Sequence, residues 1–135
     1  MPDTFLALGD QRFLLLTTFR KTGAAVSTPV WVARDGDALL ASTPKDSGKI
    51  KRLRNDPRVE LVPCGRFGKP KRGQHPVAAV AEILDDAASM IRVTELLRAK
   101  MPIEYPLVLR LEGSLGTELE KRLTIRITPA PAPAA

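Results

Sequence analysis

At 135 residues with a net charge of +6, the chain is long enough for one domain with a sizeable core and favours an anionic partner. One cysteine and one histidine exclude a disulfide framework, a cysteine-rich metal site and a histidine cluster, so no metal site is expected. Aromatic residues make up only 4%, which leaves few surfaces for base stacking and disfavours nucleic acid. No apolar run approaches the ~20 residues that span a bilayer. The apolar start lacks the basic leader of a signal peptide. We therefore expect a cytoplasmic protein with no membrane partner.

The first half of the chain predicts a short helix followed by a meander of three strands. Residues 2–9 place two apolar side chains on one helical face. Residues 12–19 are apolar on both faces, which is typical of a buried central strand. Residues 24–34 alternate between apolar and polar side chains. A type I′ turn signal, Asp35-Gly36, then leads into a third strand over residues 37–43.

Residues 41–59 carry the clearest functional signal in the sequence. Ser47 stands where a helix N-cap belongs, and Ile50 and Leu53 give the helix one apolar face before Pro57 ends it. A helix start has unpaired N–H groups and a partial positive charge, so it attracts anions. The surrounding cations strengthen this attraction: Lys45, Lys49, Lys51, Arg52 and Arg54. The pattern predicts a phosphate site, with a solvated basic face on a surface helix as the alternative.

The second half predicts three more strands and a longer helix. The strands cover residues 59–64, 77–84 and 122–128, with Val77, Val80 and Ile83 expected to face inward. The helix begins at the cap Asp85-Asp86 and ends before Pro102. Its expected buried residues are Ile91, Leu96 and Leu97.

Three other segments of the second half lie outside these elements. Residues 65–73 form a basic, glycine-rich loop. Residues 105–116 fit a helix by their leucine spacing and a strand by their polar alternation, and we favour the helix. Residues 129–135 form a disordered Pro/Ala tail, which leaves 1–128 as the single domain. Six short strands with tight turns and peripheral helices predict a mainly β (α+β) fold, an antiparallel barrel, because closure removes exposed strand edges.

Several segments, taken in order, resemble a known superfamily. They are Leu15-Leu-Thr-Thr-Phe-Arg-Lys-Thr-Gly, Val26-Ser-Thr-Pro-Val-Trp-Val, Asp35-Gly-Asp, Ser47-Gly-Lys-Ile-Lys-Arg-Leu-Arg-Asn-Asp-Pro-Arg-Val and Val62-Pro-Cys. The set resembles the pyridoxamine-phosphate-oxidase-like split-barrel superfamily. Within it, the chain is most similar to the actinobacterial branch of F-420-dependent oxidoreductases. The similarity extends over residues 10–128.

The resemblance implies a six-stranded antiparallel split β-barrel of the FMN-binding type and a homodimer with cofactor at the subunit interface. It implies a set of cofactor-binding residues: Ser27, Thr28, Pro29 and Trp31 along the ring, Ser42 and Thr43 near its edge or the ribityl chain, and Ser47, Lys49, Lys51 and Arg52 at the phosphate. In this sequence the basic loop could also guide an acidic cofactor tail, with Lys69, Lys71 and Arg72 as candidates, although solvated surface charge is the favoured alternative for these three residues. For Trp31 and Thr28, ordinary positions in the barrel core or a strand remain the alternative.

The function implied by the resemblance is hydride transfer between reduced coenzyme F-420 and a small electron-poor substrate. An FMN-binding enzyme of the same fold and a non-catalytic carrier of F-420 or flavin are the alternatives. In such an enzyme the cofactor carries the chemistry, while the protein orients and shields it. No catalytic residue is predicted, because His75 and Tyr105 are the only candidate acids and neither has a supporting motif. Cys64 is expected to be buried packing.

Overall fold

The computed structural model describes residues 2–65, 67–103 and 122–130. Six strands lie within them: β1 (Phe13–Phe19), β2 (Ala25–Asp35), β3 (Ala38–Pro44), β4 (Arg58–Cys64), β5 (Val77–Leu84) and β6 (Arg122–Pro129). Three α-helices accompany them: α1 (Pro2–Ala7), α2 (Gly48–Asn55) and α3 (Ala87–Lys100). A 3-10 turn, Leu8–Asp10, joins α1 to β1. The predicted helix over 105–116 and residues 131–135 of the predicted tail lie outside the described residues. Pro129, which was predicted to begin the tail, is instead the last residue of β6.

The six strands close into an antiparallel barrel in the order β1-β2-β3-β6-β5-β4. Every strand of the closed barrel pairs with two neighbours, and those of β1 are β2 and β4. The tight turns follow the sequence signals, and Gly23 and Gly36 both have positive φ. This confirms the predicted fold, a mainly β, six-stranded antiparallel barrel with peripheral helices. No helix in the described residues is long and apolar enough to cross a membrane.

The barrel interior is filled by alternate residues of the strands and closed by helices. Leu14 and Leu16 of β1, like Ile125 of β6, have no exposed surface. Ile50 and Leu53 of α2 join the same core, as the spacing of the two residues predicts. Phe5 and Leu8 complete it from the N-terminal segment.

Helix α3 packs on the outside of the barrel. Asp86 caps it by accepting a hydrogen bond from the backbone N–H of Ser89 at 2.9 Å. The helix ends at Lys100, so the predicted stop before Pro102 is confirmed. A second core forms between helix and sheet: Ala33 and Leu40 of the sheet, with Met90, Val93, Leu97 and Met101. This layer positions the outer wall of the site described below.

Three predictions about burial are wrong in part. Ile91 is 49% exposed, because Met90, Val93 and Leu97 occupy the i, i+3, i+7 positions that face the sheet. Val80 lies on the outer face of β5, because a strand alternates and the inner face belongs to Val77, Ala79, Ala81 and Ile83.

The third partial error concerns β1, which was predicted to be buried on both faces. Leu14, Leu16 and Thr18 are buried, whereas the alternate residues Phe13, Leu15, Thr17 and Phe19 are only half-buried. The strand is therefore apolar on both faces, but only its inner face is fully covered by the described part of the chain. The outer face of β1 carries apolar side chains that the described elements leave partly open.

Candidate functional site

An open cleft lies on the outside of the barrel, where β2, β3, α2, α3 and β6 meet. Its apolar wall contains the Phe13 and Trp31 rings, whose centroids are 5.9 Å apart, and Pro29. Leu97 of α3 forms part of the lining. The alternation of β2 places Pro29 and Trp31 on the same outward face. The two rings are tilted by 47° relative to each other, and together with Pro29 they form a largely apolar surface that can contact an aromatic ligand.

The polar part of the cleft is built by Ser42, Thr43, Lys49 and Arg122. Arg122 is only 7% exposed, and its Nε donates to Ser42 Oγ at 2.7 Å. One terminal nitrogen also donates to the Ser42 carbonyl oxygen at 3.0 Å. The register of β3 and β6 pairs Pro44 with Arg122. This register brings the Arg122 side chain next to Ser42, two residues before Pro44. A buried guanidinium held in this way adds positive charge to the cleft.

Arg122 is absent from the residues that the sequence predicted for the site. An arginine that begins an alternating strand has the same local pattern as a solvent-facing residue. Its burial depends on the register between β3 and β6, which are separated by most of the chain. Arg122 and Ser42 are distant in the sequence and become neighbours only when the sheet forms, so the sequence pattern could not indicate that they interact.

Helix α2 begins at the edge of this cleft. Ser47 has the extended backbone of an N-cap, but its side chain does not bond to a backbone N–H of the helix. Instead the Ser47 hydroxyl lies 3.3 Å from Thr43 Oγ1, which ties the helix start to the end of β3. Lys49, in the first turn, lines the cleft. The helix start therefore presents backbone donors and a lysine to the same region.

Arg52 and Lys51 leave α2 in different directions from Lys49. Arg52 donates from Nε to Thr18 Oγ1 of β1 at 2.6 Å. Burial, and secondarily the charge of Arg20, lowers the pKa of Arg52. Lys51 is exposed and does not line the cleft. Of the cations predicted at the phosphate, only Lys49 lies in the cleft itself.

The structure separates the residues predicted along the ring. Ser27 is exposed, and its hydroxyl lies 2.7 Å from Thr17 Oγ1. Thr28 alternates to the inner face of β2, opposite Leu16, and its buried hydroxyl has no hydrogen-bond partner among the described residues. The cleft thus brings together five of the predicted residues: Pro29, Trp31, Ser42, Thr43 and Lys49.

The basic loop folds back over the outer face of β1 and β2. A Cβ at Gly68, which has φ +84, would lie 3.5 Å from side-chain atoms of Leu15 and Pro29. Lys71 Nζ donates to Gln11 Oε1 at 2.8 Å, so this lysine is held beside the N-terminal segment. Lys69 and Arg72 are exposed. None of these three predicted tail-binding residues lines the cleft.

Solved structures of similar fold come from several kinds of protein. A conserved hypothetical protein of Mycobacterium tuberculosis aligns with a TM-score of 0.67 and 21% identity, over 96% of this chain and 80% of that one. An F420 reductase aligns with a TM-score of 0.61 and 18% identity, over 93% and 92%. The heme storage protein HutZ of Vibrio cholerae aligns with a TM-score of 0.66 and 12% identity, over 97% and 90%. At these identities the likeness shows the shared fold.

Comparison of the amino-acid sequence with protein families is more specific than comparison of folds. No curated protein sequence matches the chain significantly. The family model described as pyridoxamine 5′-phosphate oxidase matches residues 2–132, which is nearly the whole chain. The closed barrel of six strands agrees with that assignment. The chain therefore belongs to the pyridoxamine 5′-phosphate oxidase family.

Proposed function

We propose that this protein is an oxidoreductase that binds a flavin-type cofactor in the cleft, with coenzyme F-420 preferred over FMN. It transfers a hydride between the reduced cofactor and a small electron-poor substrate. The observation that carries the proposal is the joining of an aromatic, apolar wall to a cationic end in one cleft. The family includes oxidoreductases, and one neighbour of the same fold is an F420 reductase.

The residues present fit a planar ring joined to an anionic group. Pro29 and Trp31 provide an apolar surface for the ring, and Leu97 adds apolar surface from α3. Ser42 and Thr43 offer hydroxyl groups for a polyhydroxyl chain. Lys49 and the first N–H groups of α2 hold the phosphate, because the helix start and the lysine both favour negative charge.

The bound cofactor would supply the hydride chemistry, while the chain binds, orients and shields it. Arg122 is held by Ser42, which fixes a positive charge within the cleft for binding an electron-rich oxygen of ring or substrate. The described residues that line the cleft include no histidine or carboxylate. His75 borders a different depression, beside Gln74 and Val77. A water molecule is therefore the expected proton source.

We further propose that the protein is a homodimer with the cofactor at the subunit interface. The outer face of β1 carries half-buried Phe13 and Leu15, and Phe67 on the adjoining loop is 92% exposed. Apolar area of this kind favours a protein partner. The cleft is open on the same side, since Phe13 borders it. A second copy of the chain would cover both the apolar face of β1 and the cleft. We expect this dimeric enzyme to be cytoplasmic.

An optical titration tests the proposal directly. F-420 and FMN are added separately to the purified protein, under matched salt and pH, and cofactor fluorescence and absorbance are followed. Saturable binding of F-420 that is tighter than binding of FMN is expected. Tight FMN binding without a response to F-420 would favour the FMN enzyme. Binding of F-420 without turnover of nitroaromatic or enone acceptors would favour the non-catalytic carrier.

A further inference from the structure

Lys100, in the last turn of α3, binds three backbone carbonyl groups from two other segments of the chain. Its ammonium donates to the carbonyl oxygens of Gly9 and Gln11, in the N-terminal segment, and of Val32 in β2, at 2.5–2.6 Å. A lysine ammonium has three N–H donors, so these acceptors use all of them. Burial lowers the pKa of Lys100, while the charge of Asp10 opposes the shift. The acceptors replace lost water, and they hold the ammonium in one position.

This junction lies just beyond the aromatic pair of the cleft. The pairing of β1 with β2 ends at Phe13 and Trp31, which lie opposite each other. Gln11 lies two residues before Phe13, and Val32 directly follows Trp31. Lys100 therefore joins the two segments where their strand pairing has ended. The two rings that form the apolar wall of the cleft stand next to this connection.

Two further parts of the structure meet at the same ammonium. Leu97, one helical turn before Lys100, is fully buried and lines the cleft. The side chain of Gln11 accepts a hydrogen bond from Lys71 Nζ at 2.8 Å, which ties the loop over residues 65–73 to the junction. The apolar wall of the cleft is thus assembled from α3, β1 and β2 around one charged group. Removing that group would leave the three elements without their common contact.

We propose that Lys100 is a positioning residue of the cleft, whose ammonium fixes the Phe13 and Trp31 rings for contact with the ring system of the cofactor. This inference rests on the proposed function and deepens it. Lys100 is not among the described residues that line the cleft, so it acts through the backbone beside the two rings. Side chains that are already ordered cost less to immobilise when a ligand binds. The ring of the cofactor, rather than its phosphate, is therefore the part whose binding depends on Lys100.

The test compares Lys100→Met with Arg98→Met, which changes an exposed cation of the same helical turn. Affinities for F-420, FMN and lumiflavin, which has the ring but no phosphate, are measured at a low temperature where circular dichroism shows both variants to be folded. Lys100→Met should weaken all three ligands by a similar factor, roughly threefold to tenfold, because a ring of the wall must be ordered on binding. Arg98→Met should change them by less than about twofold. Unchanged lumiflavin affinity in Lys100→Met would overturn the proposal, while F-420 binding still upholds the proposed function.

Trp31 gives a second readout that needs no ligand, because it is the only tryptophan in the sequence. In folded Lys100→Met its emission maximum should shift and acrylamide should quench it faster, whereas Arg98→Met should match the native protein. A merely structural role of Lys100 would lower the urea midpoint and leave the emission of the folded state unchanged, which would overturn the proposal. If none of the three ligands binds, the proposed function fails, and the Trp31 emission alone decides whether Lys100 positions the cleft.

A second variant covers the case in which Lys100→Met does not fold. Lys100→Arg keeps the charge, but no single nitrogen of a guanidinium carries three N–H groups that could reach the three carbonyls together. The same shift of Trp31 emission is therefore expected. Native emission together with native lumiflavin affinity in Lys100→Arg would overturn the proposal.

Discussion

Arg122 and Ser42 are joined by two hydrogen bonds, one to the hydroxyl and one to the carbonyl oxygen of the same serine. Both donors belong to a single buried guanidinium, so the charge is fixed in place at the cleft. The pair connects β3 to β6, and it depends on Ser42 offering an acceptor where β6 begins.

Replacing Ser42 with alanine should therefore destabilise the fold as well as the site. The Nε–H of Arg122 would lose its acceptor in a buried position, which costs about 1–3 kcal/mol. Urea unfolding measures this cost, and Ser27→Ala is the matched control, since Ser27 is an exposed strand serine with one hydroxyl contact. The control should change stability by less than about 0.5 kcal/mol. If the two variants unfold alike, the buried pair does not contribute as described.

Lys49→Ala should weaken cofactor binding more than it changes the stability of the fold. A charge-assisted hydrogen bond contributes on the order of 1.5–3 kcal/mol, so the expected loss is roughly tenfold to a hundredfold. Raising the salt concentration should weaken cofactor binding by the native protein more than binding by the variant, because the variant has already lost one contact that salt screens. Lys51→Ala and Arg54→Ala change exposed cations of the same helix and should have little effect. Equal affinities of native protein and Lys49→Ala would mean that the basic residues of α2 form only a solvated surface and do not bind the cofactor.

The elements of the fold could be predicted because their signals are local. Alternation defines β2 and β6, and Gly36, with φ 63, sits in the turn that Asp35-Gly36 predicts. Helix α2 follows from Ile50 and Leu53, which both enter the core. Each of these signals lies within a few residues of the structure that it specifies.

The missed features depend on pairing between distant segments. Thr28 and Pro29 are neighbours in sequence but lie on opposite faces of β2, so a run of adjacent residues could not form one wall. Arg122 is buried only because β6 pairs with β3. In α3, apolar residues occur on more than one side, and only the contact with the sheet selects Met90 over Ile91.

A charge on the exposed apolar face should prevent dimer formation. Phe67→Asp removes the most exposed aromatic side chain of the described chain and adds a charge that a subunit interface would have to desolvate. We expect light scattering to give a dimer for the native protein and a monomer for the variant at micromolar concentration. Ile103→Asp is the control, because Ile103 is 80% exposed and lies beyond α3. A monomeric native protein that still binds cofactor would contradict the shared site.

Lys100, at the end of α3, should be sensitive to substitution although it is a charged residue. Its ammonium donates to three backbone carbonyls, those of Gly9, Gln11 and Val32. Lys100→Met would leave these acceptors without their donor and should lower stability by about 2–4 kcal/mol. Arg98→Met, in the same helical turn and exposed, should cost less than about 0.5 kcal/mol. Similar urea midpoints for both variants would show that water molecules donate hydrogen bonds to these carbonyl oxygens when the lysine is removed.

Cys64 links burial to the pH dependence of stability. The side chain is 2% exposed, and burial raises the pKa of its thiol above the usual 9.0, with Lys71 opposing the shift. The native state therefore keeps the thiol proton at a pH where the unfolded chain has released it. The unfolded state binds fewer protons, so this group makes stability fall as the pH rises above 9.0.

Stability should therefore fall more steeply with rising pH in the native protein than in Cys64→Ala. The contrast is measured as the difference in urea midpoint between native protein and Cys64→Ala, at pH 8 and pH 10. Native Cys64 should also react with a thiol reagent at least about a hundredfold more slowly than in urea, since both burial and the raised pKa suppress the thiolate. Rapid labelling under native conditions, or a midpoint difference that does not change with pH, would mean that the thiol reaches solvent from the folded barrel.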